Sequence, residues 1–256
     1  MYHVLTIAGS DSCAGAGIQA DLKTISALGA YGLSVITSLT AQNTRGVRAI
    51  QEIQPWFIRS QLDAIFTDIR VDAIKIGMLG SSSTIEAVAE YLAPLNIPIV
   101  LDPVMAAKSG DRLLDPSAIE TLKNIMLPLA TVITPNLPET EELIGCPVKT
   151  LEDMEEACRR LLALGTPWVV VKGGHLEGNP VDVIGHGDKI FYLTNSRVAS
   201  NHNHGTGCTY SSAIAAGIAM GLEYPKAISR ARAYVQHALE HGFAIGQGVG
   251  VLDHFA

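Results

Sequence analysis

The chain has 256 residues, 48% of them hydrophobic and only 5% aromatic, which suits one large α/β domain over 1–256 and falls short of two. A formal charge of −7 without clustered Lys or Arg excludes a nucleic-acid surface and a polybasic membrane anchor, so any anionic ligand must be held locally. Cys13, Cys146, Cys158 and Cys208 make no CxxC or Cys/His ligand spacing, the start runs straight into "VLTIAG" with no signal-peptide pattern, and the longest apolar stretch, around 213–222, is too short to span a bilayer. The expectation is a cytoplasmic protein with reduced thiols and no membrane partner.

In chain order, short apolar runs that read as buried strands alternate with helical patterns. "VLTIAG" precedes a helix at about 15–29, "SVITSLTAQ" one at 55–67, "DAIKIGML" one at 82–93, and "IPIVLDPV" one at 115–126. "TVITPN" is followed by helices at 137–144 and 150–164, and "WVVVKGG" by a hairpin in "PVDVIGHGDKIFYLT" that turns at His186-Gly187-Asp188. Two helices at about 206–221 and 224–241 close the pattern. This βαβα rhythm predicts an α/β fold with a mostly parallel sheet, right-handed crossovers and helices on both faces.

Gly9-Ser10-Asp11, Gly77-Met78, Asp102-Pro103, Pro135-Asn136 and Lys172-Gly173-Gly174 each follow an apolar run. In an open parallel sheet, ligands bind beyond the carboxyl ends of the strands, so these segments are expected to converge. Any one of them taken alone is equally an ordinary loop.

Gly205-Thr206-Gly207-Cys208 opens an alanine-rich helix, where glycines permit close backbone approach and the first amides present an anion site. Without a P-loop spacing, the same turn is also a plain helix start with a buried cysteine. Lys172 is either a snorkelling strand end or a cation facing phosphate. Asn136 and Glu139 share a helix-start face, as a capping box or as holders of the water shell of Mg²⁺. Asp102 is a turn residue or a metal-side carboxylate. Asp21 falls within the apolar stripe of Ile18, Leu22, Ile25 and Leu28, and with no basic residue on that face it is expected to meet a ligand or a backbone amide. Gln42 offers an amide at a strand end, and Met78 an adaptable apolar wall. His202 and His204, like His237 and His241, lack a nearby third ligand in sequence, which favours hydrogen bonding over metal.

Together "AGSD", "GAGIQADLKTISALGAYG", "TAQNT", "KIGML", "LDPVM", "TPNLPE", "VKGGH" and "HGTGC" span nearly the whole chain. The set resembles the hydroxymethylpyrimidine kinase/phosphomethylpyrimidine kinase family of thiamine biosynthesis. The resemblance implies a ribokinase-like fold, ATP with Mg²⁺, a homodimer, and two successive phosphorylations of a pyrimidine. It further implies pyrimidine contacts at Asp21, Gln42 and Met78 with Gly9 and Val104 lining the pocket. Lys172 would meet the ATP phosphates, with Thr206 also on the nucleotide. Asn136 and Glu139 would form a metal-water pair beside Asp102, and Gly205 to Cys208 an anion hole. Cys208 would help remove the hydroxyl proton, its pKa lowered by the helix N-terminus. Where the family has Pro-Ser-Gly-Gly and Asn-Thr, this chain has Ser12-Cys13-Ala14-Gly15 and His202-Asn203; a left-handed position there would strain Ala14. Pyridoxal kinase and a non-catalytic sensor are the alternatives. Gln42 and "AGIQADLKT" favour the pyrimidine, and Lys172, Glu139 and GTGC favour turnover.

Overall fold

The computed structural model describes residues 1–174, 176 and 178–256, so His175 of the "VKGGH" motif lies outside the described residues. The chain forms β1 (His3–Asp11), α1 (Gly17–Ala27), β2 (Tyr31–Asn43), β3 (Gly46–Glu52), α2 (Pro55–Phe66), β4 (Ala73–Ile76), α3 (Ser82–Leu92) and β5 (Ile99–Leu101). It continues through α4 (Ile119–Thr121), β6 (Val132–Ile133), α5 (Leu137–Ile144), α6 (Leu151–Leu162), β7 (Trp168–Val171), β8 (Val181–His186), β9 (Lys189–Thr194), α7 (Thr206–Ala219) and α8 (Tyr224–Glu240). The sheet order is β3-β2-β1-β4-β5-β6-β7-β8-β9. It is parallel from β2 to β7 and antiparallel at both edges.

Two elements depart from the sequence reading. Strand β3 returns antiparallel along β2, and its residues are half-buried or exposed, so "GVRAIQE" lacks the apolar run by which the other strands declare themselves. The helix expected at 115–126 is broken into a 3₁₀ turn, the single turn α4, a π turn at Leu122–Met126 and a 3₁₀ turn at Leu127–Leu129. Pro128 removes a backbone donor, which prevents a regular helix from continuing there.

Period-two alternation divides the strand residues between two apolar layers. Leu5, Ile7, Ile74, Ile76, Val169 and Val171 face one layer, with Ile58 and Leu62 of α2, Val88 of α3, and Met154 and Leu161 of α6. Val4, Ala73 and Val170 face the other, with Ile25 of α1, Ile214 of α7, and Ile228 and Val235 of α8.

The same alternation turns Thr6 and Lys75, which are partners in register, toward α1 and α7. There Lys75 Nζ lies 2.9 and 2.7 Å from the two carboxylate oxygens of Asp21. Thr6 donates to Asp21 Oδ2 at 2.6 Å, and Ser212 of α7 donates to Oδ1 at 2.8 Å. Both members of the ion pair are 0% exposed. Asp21 is therefore corrected from a pyrimidine contact to a structural anion: its cation comes from β4, 54 residues away in sequence, where inspection of its own helix face could not find it. Burial opposes the Lys75 charge, but the Asp21 carboxylate overrides it and holds the ammonium above its ordinary pKa.

Breaking one member of such a pair leaves an uncompensated buried charge. Asp21→Asn should lower stability by about 3–5 kcal/mol, and pairing Asp21→Leu with Lys75→Met should restore most of it. Urea unfolding measures this; an Asp21→Asn variant of unchanged stability would contradict the pairing.

Candidate active site

Strands β1, β4, β5, β6 and β7 are neighbours, and their carboxyl ends open onto one cavity of about 590 Å³. The chain leaves β1 toward β2 on one side and reaches β4 on the other, so the cavity lies where the strand order reverses.

On the β1 side, Gly9, Met78, Gln42 and Val104 line the cavity. A Cβ at Gly9 would fall 2.9 Å from Met78 Sδ, so the missing side chain lets the thioether pack across the backbone. Ser12 Oγ accepts from the Gln42 amide nitrogen at 2.9 Å and is 2.7 Å from its carbonyl oxygen, which ties the β1 loop to the end of β2. Asp21 does not reach this wall; Lys75, which it holds, does.

On the β5–β7 side, Lys172 Nζ donates to Asp102 Oδ1 at 2.8 Å, and Thr134 Oγ1 donates to the same oxygen at 3.1 Å. Asn136 bridges to Lys172 where the β6–β7 ladder runs on past the strands. The Asn136 side chain accepts from Glu139 N at 3.0 Å while Glu139 Oε2 accepts from Asn136 N at 2.8 Å. The capping box is thus formed, and the Glu139 carboxylate it holds is buried and lines the cavity. Burial pushes the Glu139 carboxyl up to about 7, against the Lys172 ammonium that lowers it and with the Asp102 charge that raises it further. Burial also opposes the charge on Lys172, but Asp102 and Glu139 together hold its pKa above the usual lysine value.

Between these walls stands the first turn of α7. Gly205 takes φ +85°, and a Cβ there would strike the Gly15 carbonyl. A Cβ on Gly207 would sit 3.1 Å from both Asp102 Oδ2 and Lys172 Nζ, so the backbone of this turn packs against the ion pair. Its first amides have no acceptor within the helix, Thr206 N–H donating instead to Asn203 O at 3.4 Å, and Gly205 to Cys208 line the cavity. Burial pushes the Cys208 thiol up to about 11; the Lys75 ammonium lowers it, but Asp21 and Asp102 raise it. The lowered pKa expected at the helix mouth is corrected to a raised one, because desolvation exceeds the pull of the helix end.

Several cavity residues carry no sequence signal strong enough to mark them. Lys75 hides in an apolar strand, and Arg232 lies 2.9 Å from Asp182 across the far wall, joining β8 to α8. Asp11 accepts from the amides of Cys13, Gly15 and Ala16 and pairs with His204 at 2.8 Å. Burial alone would raise its pKa, yet these hydrogen bonds, with His204 foremost, hold it down at about 2. Ala14 takes φ +62°, the one left-handed non-glycine among the described residues, so the departure from the family loop does carry backbone strain.

A cavity that offers amides beside a buried lysine, and a narrow apolar slot beside Gly9, has the layout of a small-molecule kinase of ribokinase-like fold. The family model for phosphomethylpyrimidine kinase matches residues 11–253, and the chain belongs to that family. A relative from Streptomyces coelicolor, a hydroxymethylpyrimidine/phosphomethylpyrimidine kinase, is 47% identical over 98% of this chain and 93% of its own. The phosphomethylpyrimidine kinase of Clostridium difficile superposes with a TM-score of 0.83 at 44% identity, covering 93% of this chain and 99% of that one. The ADP complex of Bacillus subtilis pyridoxal kinase gives 0.93 at 39% identity, covering 99% and 97%.

The Glu139 environment has a consequence for stability. Below its ordinary value of 4.5 the carboxyl is protonated whether folded or unfolded. Between 4.5 and about 7 the unfolded chain releases the proton while the fold retains it, so stability falls as pH rises through that window. Glu139→Gln keeps the cap acceptor and should remove this decline, gaining on the parent between about pH 5 and about pH 7. Urea midpoints across that range check it; a constant difference would contradict the raised carboxyl.

Proposed function

We propose that the chain transfers the γ-phosphoryl group of ATP to the primary hydroxyl of 4-amino-5-hydroxymethyl-2-methylpyrimidine, and then a second phosphoryl group to the resulting monophosphate, in thiamine biosynthesis. The observation that carries this reading is the packing of Gly207 against Lys172 and Asp102. It brings the first turn of α7 against an ammonium, an arrangement that supports charge stabilisation during phosphoryl transfer. The S. coelicolor relative's name supplies the substrate class.

The pyrimidine ring lies against Gly9, Met78 and Val104 with Gln42 at its polar edge, and its hydroxymethyl group points to the α7 amides. Lys172 and the amides of Gly205 to Cys208 receive the γ-phosphate, and Thr206 adds a hydroxyl on the nucleotide side. Asp102, Glu139 and Asn136 are hard oxygen donors at the cavity wall, a set that suits Mg²⁺ held through its water shell. When bound, Mg²⁺ neutralises phosphate charge. Cys208 accepts the hydroxyl proton as its thiolate, after the neutral thiol has released its own proton to solvent.

Leu39 of β2, Ile50 of β3, and Trp56 and Phe57 of α2 are exposed large hydrophobic residues. This strand pair and its neighbouring helix support the expected homodimer. Among the described residues no helix is long and apolar enough to cross a membrane, and all four cysteines are free. Free thiols and the need for ATP support a cytoplasmic location. Pyridoxal phosphorylation is the second reading, favoured by the B. subtilis neighbour.

Purified protein should consume ATP with hydroxymethylpyrimidine and with its monophosphate, at a kcat/KM above that for pyridoxal. Turnover of pyridoxal alone would overturn the assignment, and nucleotide binding without turnover would favour a sensor. Cys208→Ala should lower kcat roughly 10²–10⁴-fold with little change in the KM for ATP. In the parent, kcat should rise between about pH 7 and about pH 9, as a thiol proton becomes easier to remove, and stay flat in the variant. Near-full activity in Cys208→Ala would leave the amides as the working part of this turn. Sedimentation should give a dimer that Ile50→Lys weakens; a monomeric parent would contradict the exposed face as an interface.

A further inference from the structure

Three side chains that meet at the β1 loop are left unused by the phosphoryl-transfer reading. Asp11 Oδ2 receives two side-chain donors at once: His204 Nε2 at 2.8 Å and the Cys13 thiol at 3.4 Å. The carboxylate oxygen, the sulfur and the ring nitrogen all lie within 4.8 Å of one another. His204 precedes the α7 turn and Cys13 follows β1, so 193 residues separate the Asp11–His204 partners in sequence. The spacing rules applied to the sequence could not bring them together. Asp11 and His204 are buried, Cys13 is half-buried, and Asp11 and His204 face the cavity.

We propose that Asp11, Cys13 and His204 form a binding site for a borderline-soft divalent cation, best matched by Zn²⁺, whose occupancy suppresses use of the pyrimidine. One thiolate, one imidazole and one carboxylate match the ligand preferences of Zn²⁺ and not those of Mg²⁺, which takes oxygen donors. Bonds of about 2.0–2.3 Å at tetrahedral angles separate ligand atoms by about 3.3–3.6 Å. The Asp11–Cys13 separation is already in that range, and a rotation of half-buried Cys13 draws its sulfur toward the imidazole. On binding, the thiol proton passes to solvent, the Nε2 proton of the neutral imidazole moves to Nδ1 by exchange with solvent, and the cation replaces the two side-chain hydrogen bonds to Asp11 Oδ2 while the amides of Gly15 and Ala16 remain on that oxygen. Gln42 Nε2 stands 3.4 Å from His204 Nε2, so turning that amide presents an oxygen as fourth donor. Held by the cation, that oxygen is no longer available to the polar edge of the pyrimidine. The inhibitory part rests on the pyrimidine-kinase reading; the site itself does not.

The test uses the full chain freed of metal, with Co²⁺ as a spectroscopic stand-in and then Zn²⁺. Co²⁺ should produce a thiolate-to-metal charge-transfer band that saturates at one equivalent, and Zn²⁺ should displace it. Cys13→Ser retains a donor to Asp11 and should lose the band. Since changing a residue that merely supports a metal ligand costs 10–100-fold in affinity, loss of the ligand itself should weaken Zn²⁺ binding by more than roughly 100-fold. No band in the parent, or the same band in Cys13→Ser, overturns the site, and a band lost only in Cys208→Ala assigns the sulfur elsewhere and overturns it too. Zn²⁺ under excess Mg²⁺ should raise the KM for hydroxymethylpyrimidine in the parent and not in Cys13→Ser. Equal inhibition of both proteins overturns the regulatory role. A chain that binds Co²⁺ through Cys13 yet phosphorylates no pyrimidine refutes the kinase reading and leaves the site standing.

Discussion

The ion pair between Asp21 and Lys75 is the constraint on which the site depends. It is sealed between the sheet, α1 and α7, and both charges would be strongly destabilising if either partner were displaced. Thr6 and Ser212 complete the hydrogen bonding of the carboxylate, so one anion joins β1, β4, α1 and α7. The lysine end of the pair reaches the cavity and lowers the pKa of the Cys208 thiol that burial raises. The position of the α7 first turn is thereby tied to the strand ends it must face.

From that anchor the electrostatics of the cavity follow a single logic. Charges that ordinarily belong in water stand in opposed pairs, half-buried Lys172 with Asp102 and buried Arg232 with Asp182, and the buried Asp11 carboxylate accepts a hydrogen bond from the His204 ring. Backbone amides close the remaining gaps, as at Asp11, which accepts from three of them. Such a preorganised polar wall favours a highly charged ligand without large rearrangement, and burial at the same wall raises the Glu139 carboxyl to about 7. The cost appears in the backbone, in Ala14 at φ +62°.

Much of this was legible in the sequence because burial on both faces of a parallel sheet writes continuous apolar runs, and the residues that end those runs are the ones that line the cavity. Gly9, Asp102, Asn136 and Lys172 could be placed in that way, and the GTGC turn could be read from the physics of a helix start. What escaped was whatever depends on contacts between distant segments. Asp21 looked unpartnered because its cation is in β4; Cys208 looked activated because a helix N-terminus is visible in sequence and its desolvation is not. Strand β3 escaped because an exposed edge strand needs no apolar pattern, and the cluster of Asp11, Cys13 and His204 because it joins the two ends of the chain.

Whether two substrates meet at the α7 first turn can be seen in a crystal structure with a nonhydrolysable ATP analogue and hydroxymethylpyrimidine. The terminal phosphate should lie on the amides of Gly205 to Cys208 beside Lys172, with the pyrimidine against Gly9 and Met78 and its hydroxyl directed at that phosphate. A nucleotide bound away from α7, or a pyrimidine whose hydroxyl points away from the phosphate, would contradict that meeting.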